Sequence, residues 1–397
     1  MNRQFYLENA QSICVTLEAV FPRNVVRRKF TCHISLGYLG MEFGSPIKNI
    51  IRTAAEAAGF DRVGIAPVAS GVDRERFKDW IDAGHAGEMH YLEARDESGE
   101  LKRADPRASF PWARSVIVCA INYNTAQPYS TEVRDSKRGW ISRYAWSRDD
   151  YHDAVLRKLR EVEAQIRAAL PSEHDLQTRC YVDTGPVVER VHARLAGIGW
   201  VGKNTCIINQ QIGSWLFLGV ILTSLDLTPD SPAADRCGNC TRCIDACPTD
   251  AIIAPYQLDA SRCISYLTIE KRGAIPEEFR EGIGRHVFGC DICQDVCPWN
   301  RRAPATIVEE FHPREGLVNP ALEWLVLMGQ EEFREKFRGS PVRRTKLSGL
   351  RRNAVIAIGN SKDASFIPLL QRLVHDDDEV VAESASWSLH RLNGVTE

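Results

Sequence analysis

The chain is 397 residues long, 44% hydrophobic and 26% charged, with a formal net charge of −2. That length exceeds one ordinary core, so two or three domains are expected, and the balanced charge demands no polyanionic partner over the whole surface. No apolar run approaches the roughly 18 residues that span a bilayer, so the chain reads as soluble, with no membrane association.

Residues 1–44 are read as an extension of unassigned structure. Arg27-Arg28-Lys29-Phe30 superficially matches a twin-arginine export signal. The stretch behind it holds His33 and Glu42 and offers neither a long apolar core nor a small-residue cleavage site, which points to the cytoplasm. Met41 stands just ahead of the first predicted helix, so a start codon placed too early would also explain the extension.

That helix starts at an N-cap, Ser45, with Pro46 in its first turn. Ile47, Ile50, Ile51, Ala54, Ala55 and Ala58 form its apolar stripe, and Gly59 ends it. A strand over 62–66 and a helix carrying Phe77, Trp80 and Ile81 follow. The run 115–121 (SVIVCAI) has the length and continuous apolarity of a strand buried on both faces. A charged helix over 151–170 and strands at 178–182 and 215–223 complete a predicted α/β core over 45–228. The polar, proline-containing segment 229–236 opens a cysteine-rich module that runs to 304. Residues 305–397 are helical in pattern beyond Pro320, and 350–359, 364–374 and 380–392 suggest one to two HEAT-like repeats.

Eight of the thirteen cysteines fall between Cys237 and Cys297. Disulfides would need an oxidising compartment, whereas short fixed gaps without a convincing signal peptide indicate metal binding. Cys237-x2-Cys240-x2-Cys243-x3-Cys247-Pro248 is the bacterial ferredoxin run, in which the fourth thiolate turns away to the other cluster. The second half is Cys263, then Cys290-x2-Cys293-x3-Cys297-Pro298. Crossing the fourth cysteines assigns one [4Fe–4S] cluster to Cys237, Cys240, Cys243 and Cys297, and the other to Cys247, Cys263, Cys290 and Cys293. Two four-cysteine zinc sites are the alternative, but the triple Cys-x2-Cys-x2-Cys run is not zinc spacing. Cys119 and Cys180 lie in predicted strands as packing residues, and Cys14, Cys32 and Cys206 are scattered.

The preceding domain has no G-x-G-x-x-G behind a strand, so a dinucleotide site is not indicated. His85, His90, His152 and His192 are isolated and read as surface or core residues. Asp183-Thr184-Gly185-Pro186, Glu189-Arg190 and the run Ala196-Gly197-Ile198-Gly199-Trp200-Val201-Gly202-Lys203-Asn204 resemble the epoxyqueuosine reductase family. So do Lys102-Arg103-Ala104-Asp105-Pro106, Arg143-Tyr144-Ala145-Trp146, Asp150-Tyr151-His152 and Cys263-Ile264-Ser265-Tyr266-Leu267-Thr268.

The resemblance implies a cobalamin-binding, nitroreductase-like α/β core, a ferredoxin-like double-cluster module and HEAT-like terminal helices. It also implies reduction of epoxyqueuosine to queuosine at the wobble position of tRNA, with cobalamin held base-off and fed electrons by the two clusters. Asp183 is the implied proton donor, its pKa raised by burial beside corrin and substrate. Arg103, Ser142, Lys203, Asn204, Ser265 and the Cys290-Asp291-Ile292-Cys293 turn are the implied cofactor contacts. An external electron donor and a monomer are expected.

The basic stretch 334–352 holds Arg334, Lys336, Arg338, Arg343, Arg344, Lys346, Arg351 and Arg352 against Glu335. It fits a phosphate backbone, and equally a solvated linker. Two other functions stay open on residues alone: a reductive dehalogenase-type cobalamin and iron–sulfur oxidoreductase acting on a small molecule, and an electron-transfer protein without catalysis of its own.

Overall fold

A computed structural model describes residues 46–68, 71–171 and 175–394. The arginine pair at 27–28 and the Ser45 cap lie outside the described residues. The core is a four-stranded sheet in the order Arg62–Pro67, Ser115–Asn122, Leu216–Thr223, Thr178–Tyr181, and every pairing is antiparallel. Strands alternating with helices ordinarily signal a parallel sheet. Here the continuous apolar runs instead report two covered faces. All eight residues of Ser115–Asn122 are buried, and successive side chains point to opposite faces. Ile117, Cys119 and Ile121 pack with Ile51, Val155 and Leu159 of the helices Pro46–Ala57 and Tyr151–Ala169. Val116, Val118 and Ala120 pack with Ala193, Ala196 and Ile198 on the other side. Each such Val or Ile contributes about 1.5–3 kcal/mol of burial.

Close approach fixes the helix Glu189–Leu195 over that second face. A Cβ on Gly64 would stand 2.1 Å from the Ala196 carbonyl oxygen, so only glycine lets this helix settle there.

The cysteine module joins the sheet domain through a short parallel pair, Trp140–Ile141 with His286–Phe288. The helix Lys346–Asn360 then clamps the module. Arg352, fully buried, donates to the carbonyls of Leu267, Lys271 and Gly273, and Asn353 donates to those of Thr268 and Val287. The helices expected at 350–359, 364–374 and 380–392 correspond to Lys346–Asn360, Ile367–Leu373 and Glu379–Asn393. Among the described residues no helix is long and apolar enough to cross a membrane.

His286 ties pH to stability. Its Nδ1 lies 3.1 Å from the Ile283 carbonyl, its Nε2 has no partner, and burial pushes its pKa down to about 4. The folded pKa lies below the unfolded one, so the stabilisation is complete above about 6.5 and is lost as pH falls through about 4. The loss is on the order of 3 kcal/mol. Urea unfolding at pH 7 and pH 4.5 should show a smaller acid loss for His286→Gln than for the parent chain. Equal losses would show that His286 is not the titrating group.

Candidate functional site: two thiol-lined cavities and an aspartate

Each ferredoxin-type run forms a four-residue helix, Arg242–Asp245 or Ile292–Asp295, and the chain turns out of it before the fourth cysteine. The result is two cavities. One, about 330 Å³, is lined by Cys237, Cys240, Cys243 and Cys297 together with Lys203, Asn204 and Trp299. The other, about 390 Å³, is lined by Cys247, Cys263, Cys290 and Cys293, and it continues to Asp183. The chain therefore crosses, with Cys247 and Cys297 each facing the cavity of the other run.

Burial pushes the Cys243 and Cys297 thiols up to about 11 and raises Cys290 further. A hydrogen bond with Cys206, then burial, raises Cys293. Without bound metal these thiols hold their protons, so loading iron must release them. The Ala251 backbone N–H already donates to Cys247 Sγ at 3.3 Å, the kind of contact that tunes a cluster's potential. Four soft sulfur donors around each cavity suit iron–sulfur ligation.

Beyond its thiols the second cavity is floored by Leu216, Phe217 and Leu218 from the sheet and by Ile252, Leu258 and Ile264. Its polar lining includes Ser142, Asn204, Thr205 and Ser265, and no histidine is among the residues that line it. An apolar floor with a few polar contacts and no histidine fits a flat macrocycle whose metal takes no ligand from the chain.

Asp183 follows the strand Thr178–Tyr181 with φ +57°, a left-handed conformation that Asp tolerates better than most residues. Gly185 finishes the turn; a Cβ there would strike the Tyr181 ring at 2.3 Å. The Asp183 side chain is 69% exposed, so the chain alone does not supply the burial expected of it. Its carboxylate accepts a hydrogen bond from the Tyr151 hydroxyl at 3.0 Å and lies 3.9 Å from His152 Nε2. His152 Nδ1 in turn lies 2.7 Å from Asp150. Tyr151 opens the helix Tyr151–Ala169 and stacks on Phe217. Burial, and then the Asp183 charge, hold its phenol well above the ordinary range, so it remains a donor that orients Asp183.

Ser142, Asn204, Ser265 and Ile292 share the cavity with Asp183, as expected of cofactor contacts. Three expected contacts stand elsewhere. Lys203 lines the other cavity and donates to the Gly238 carbonyl at 2.7 Å. Asp291 is buried with its carboxylate turned away, accepting from Trp140 Nε1, the Arg143 backbone N–H and the Ser142 hydroxyl. Arg103 is half-buried outside the lining, 5.8 Å over the Tyr91 ring.

Sequence reasoning assigned no role to Tyr151, Glu189 or Cys206, all of which line the Asp183 cavity. His152, read as an isolated surface or core residue, faces Asp183. For Tyr151 and Glu189 the one signal was adjacency to the quoted motifs. Four of the eight cations in the basic stretch have hydrogen-bonded partners within the fold. Arg334 pairs with Glu331, Arg344 with Glu270 and Arg351 with Asp376, while Arg352 is buried. Arg338, Arg343 and Lys346 stay exposed with no acidic partner among the described residues.

Comparison with known proteins places these features. Residues 103–184 match the family described as epoxyqueuosine reductase QueG, DUF1730, and residues 236–300 match the 4Fe-4S double cluster binding domain. Epoxyqueuosine reductase of Xanthomonas campestris is 40% identical over 343 residues, covering 85% of this chain and 94% of the relative. That of Synechocystis is 44% identical over 297 residues, covering 74% and 98%. A crystal structure of selenomethionine-labelled epoxyqueuosine reductase superposes with a TM-score of 0.79 at 33% identity, covering 87% of this chain and 90% of that one. A structure of epoxyqueuosine reductase with a tRNA-Tyr epoxyqueuosine-modified stem loop gives 0.78 at 33% identity, with the same coverage.

Proposed function

The chain belongs to the epoxyqueuosine reductase family, and from that premise we infer that it reduces epoxyqueuosine to queuosine in tRNA. The observation that carries this reading is the continuity of one cavity from four cysteine thiols to Asp183. Its cofactors on this reading are two [4Fe–4S] clusters and cobalamin, which the apolar floor of the Asp183 cavity fits. Cys237, Cys240, Cys243 and Cys297 hold the outer cluster, and Cys247, Cys263, Cys290 and Cys293 the one beside the corrin. When bound, these groups supply the two electrons that the epoxide takes up.

The chain's own part is to position and to move protons. Leu216, Phe217 and Leu218 support the apolar face of the bound cofactor, and Ser142, Asn204 and Ser265 meet its polar edge. With corrin and substrate in the cavity, the exposed Asp183 would be withdrawn from water. Tyr151 fixes the direction in which Asp183 presents that proton to the opening epoxide oxygen. Tyr151→Phe should lower kcat about 10- to 100-fold, the worth of a hydrogen bond to a charged acceptor, and leave KM for tRNA unchanged. An unchanged kcat would remove Tyr151 from the positioning of Asp183.

The tRNA presents its modified base from a single-stranded loop, where bases can be splayed into a cleft. Arg338, Arg343 and Lys346 follow the phosphate backbone. Changing all three to Gln should raise KM and flatten the salt dependence of tRNA binding by about 2 in log–log slope, at ~0.7 per phosphate contact. A parallel salt slope would show that these cations face water. The protein works as a cytoplasmic monomer supplied by an external electron donor.

The test is complementation. A bacterial strain lacking its own epoxyqueuosine reductase accumulates the epoxide in its tRNA. Expression of this chain should convert that pool to queuosine, as read by nucleoside mass spectrometry. Persistence of epoxyqueuosine with soluble, cluster-loaded protein present would defeat the assignment.

A further inference from the structure

Turning an epoxide into an alkene breaks both C–O bonds and forms one C=C π bond. The oxygen leaves as water, so each turnover consumes two electrons and two protons. Asp183 can carry one proton at a time. Something beside it must supply the other.

We propose that Glu189 is the residue that reloads Asp183, delivering the second proton of each turnover. The proposal rests on the reading of the chain as an epoxyqueuosine reductase. Glu189 lies in the first turn of the helix Glu189–Leu195, six residues beyond Asp183. Its side chain lines the same cavity as Asp183. Its carboxyl lies against the Asp183 backbone amide, while its Oε1 is buried and has no hydrogen-bond partner. A buried carboxylate with an unpaired oxygen is costly, and protonation relieves that cost by turning the group into a neutral donor.

The charged groups facing Glu189 are Asp183, Arg103 and its helix neighbour Arg190. Burial, reinforced by the Asp183 charge, outweighs the cations and pushes its pKa up to about 7. Glu189 is therefore a loaded acid below about pH 7 and an empty one above it. The neighbours of Asp183 are less suited. Tyr151 keeps its proton too tightly to give it up. His152 Nε2 lies 3.9 Å from Asp183 but outside the cavity lining, so it is not placed beside the substrate as Glu189 is. After the first transfer Asp183 is an anion beside a neutral Glu189. The proton then moves from the Glu189 carboxyl to Asp183 and on to the departing oxygen, and Glu189 recovers a proton from solvent before the next turnover.

Glu189→Gln keeps the shape and removes the titration. It should cut kcat about 10²-fold, the scale of one general acid step, with KM for tRNA unchanged. The decline of kcat above about pH 7 should be lost in the variant, and Glu189→Asp should restore part of the rate. Difference infrared spectra of the chain without cofactors or tRNA give a second readout. The protonated-carboxyl absorption lost as pH rises through about 7 should shrink in Glu189→Gln by the share of one carboxyl, the remainder belonging to Asp295, which burial also pushes up to about 7. A Gln variant with the parent kcat at every pH would overturn the proposal. So would a slowed variant that keeps the alkaline decline, or an infrared band untouched by the substitution. If the parent chain does not act on tRNA, the functional reading fails instead, while the infrared titration still reports whether Glu189 holds its proton.

Discussion

Asp183→Asn is expected to lower turnover of epoxyqueuosine tRNA by ~10²–10⁴-fold, the range of a lost general acid, while both clusters, the corrin and tRNA affinity are retained. The geometry makes this a clean substitution. Asp183 sits at φ +57°, and Asn is among the few residues that adopt that conformation readily. The Asn carbonyl can still accept the Tyr151 hydroxyl, so the turn keeps its anchor. What Asn cannot do is give a proton to a developing oxyanion. Ala would be a poorer probe, since it adds backbone strain at positive φ and leaves the buried Tyr151 hydroxyl without its acceptor. Iron content, corrin absorbance and tRNA binding should match the parent chain. Parent-like turnover would remove Asp183 from the chemistry.

The second large effect separates the clusters. Cys297 is four residues from Cys293, so pairing by sequence would put them on one cluster. The cavities pair Cys297 with Cys237, Cys240 and Cys243 instead. Cys297→Ser should therefore lose about half the iron and keep the cluster beside the corrin. Cys247→Ser should lose the other half and keep the outer cluster. Paramagnetic resonance of the reduced variants will show two different single-cluster spectra. Both should turn over only at background rates if the two clusters pass electrons in series. Identical residual spectra, or a Cys297→Ser spectrum matching that of Cys293→Ser, would refute the crossed assignment.

The crossing was legible because the ferredoxin run leaves three residues before its fourth cysteine, enough for a short helix to turn that thiol away. The position of Asp183 was legible through the family motif around it. Its partners were not. Tyr151 meets Asp183 because the Thr178–Tyr181 strand pairs with Leu216–Thr223, and Tyr151 stacks on Phe217 from that neighbouring strand. Such a contact follows from strand order, and no spacing in the chain announces it. The antiparallel pairing was hidden for a related reason, since a strand buried on both faces has the same apolar composition in either direction. Which cations of the basic stretch the fold takes up was not legible either. Its eight cations look equivalent along the chain, yet Arg352 is taken up by the Leu267 and Gly273 carbonyls and Arg351 by Asp376. The side-chain directions of Lys203 and Asp291 were also not legible in the sequence. Lys203 reaches toward the Gly238 loop, and Asp291 turns inward to Trp140.

The central claim is that electrons stored on eight cysteine-held irons and a proton presented by Asp183 meet at one epoxide. A single-turnover reaction tests it most directly. The protein is reconstituted anaerobically with iron, sulfide and cobalamin, reduced chemically, and mixed with less than one equivalent of epoxyqueuosine tRNA. The nucleosides are then weighed by mass spectrometry. The account predicts loss of one oxygen from the modified base with the parent chain and an intact epoxide with Asp183→Asn at equal cofactor loading. An intact epoxide with the fully loaded, reduced parent chain would contradict it.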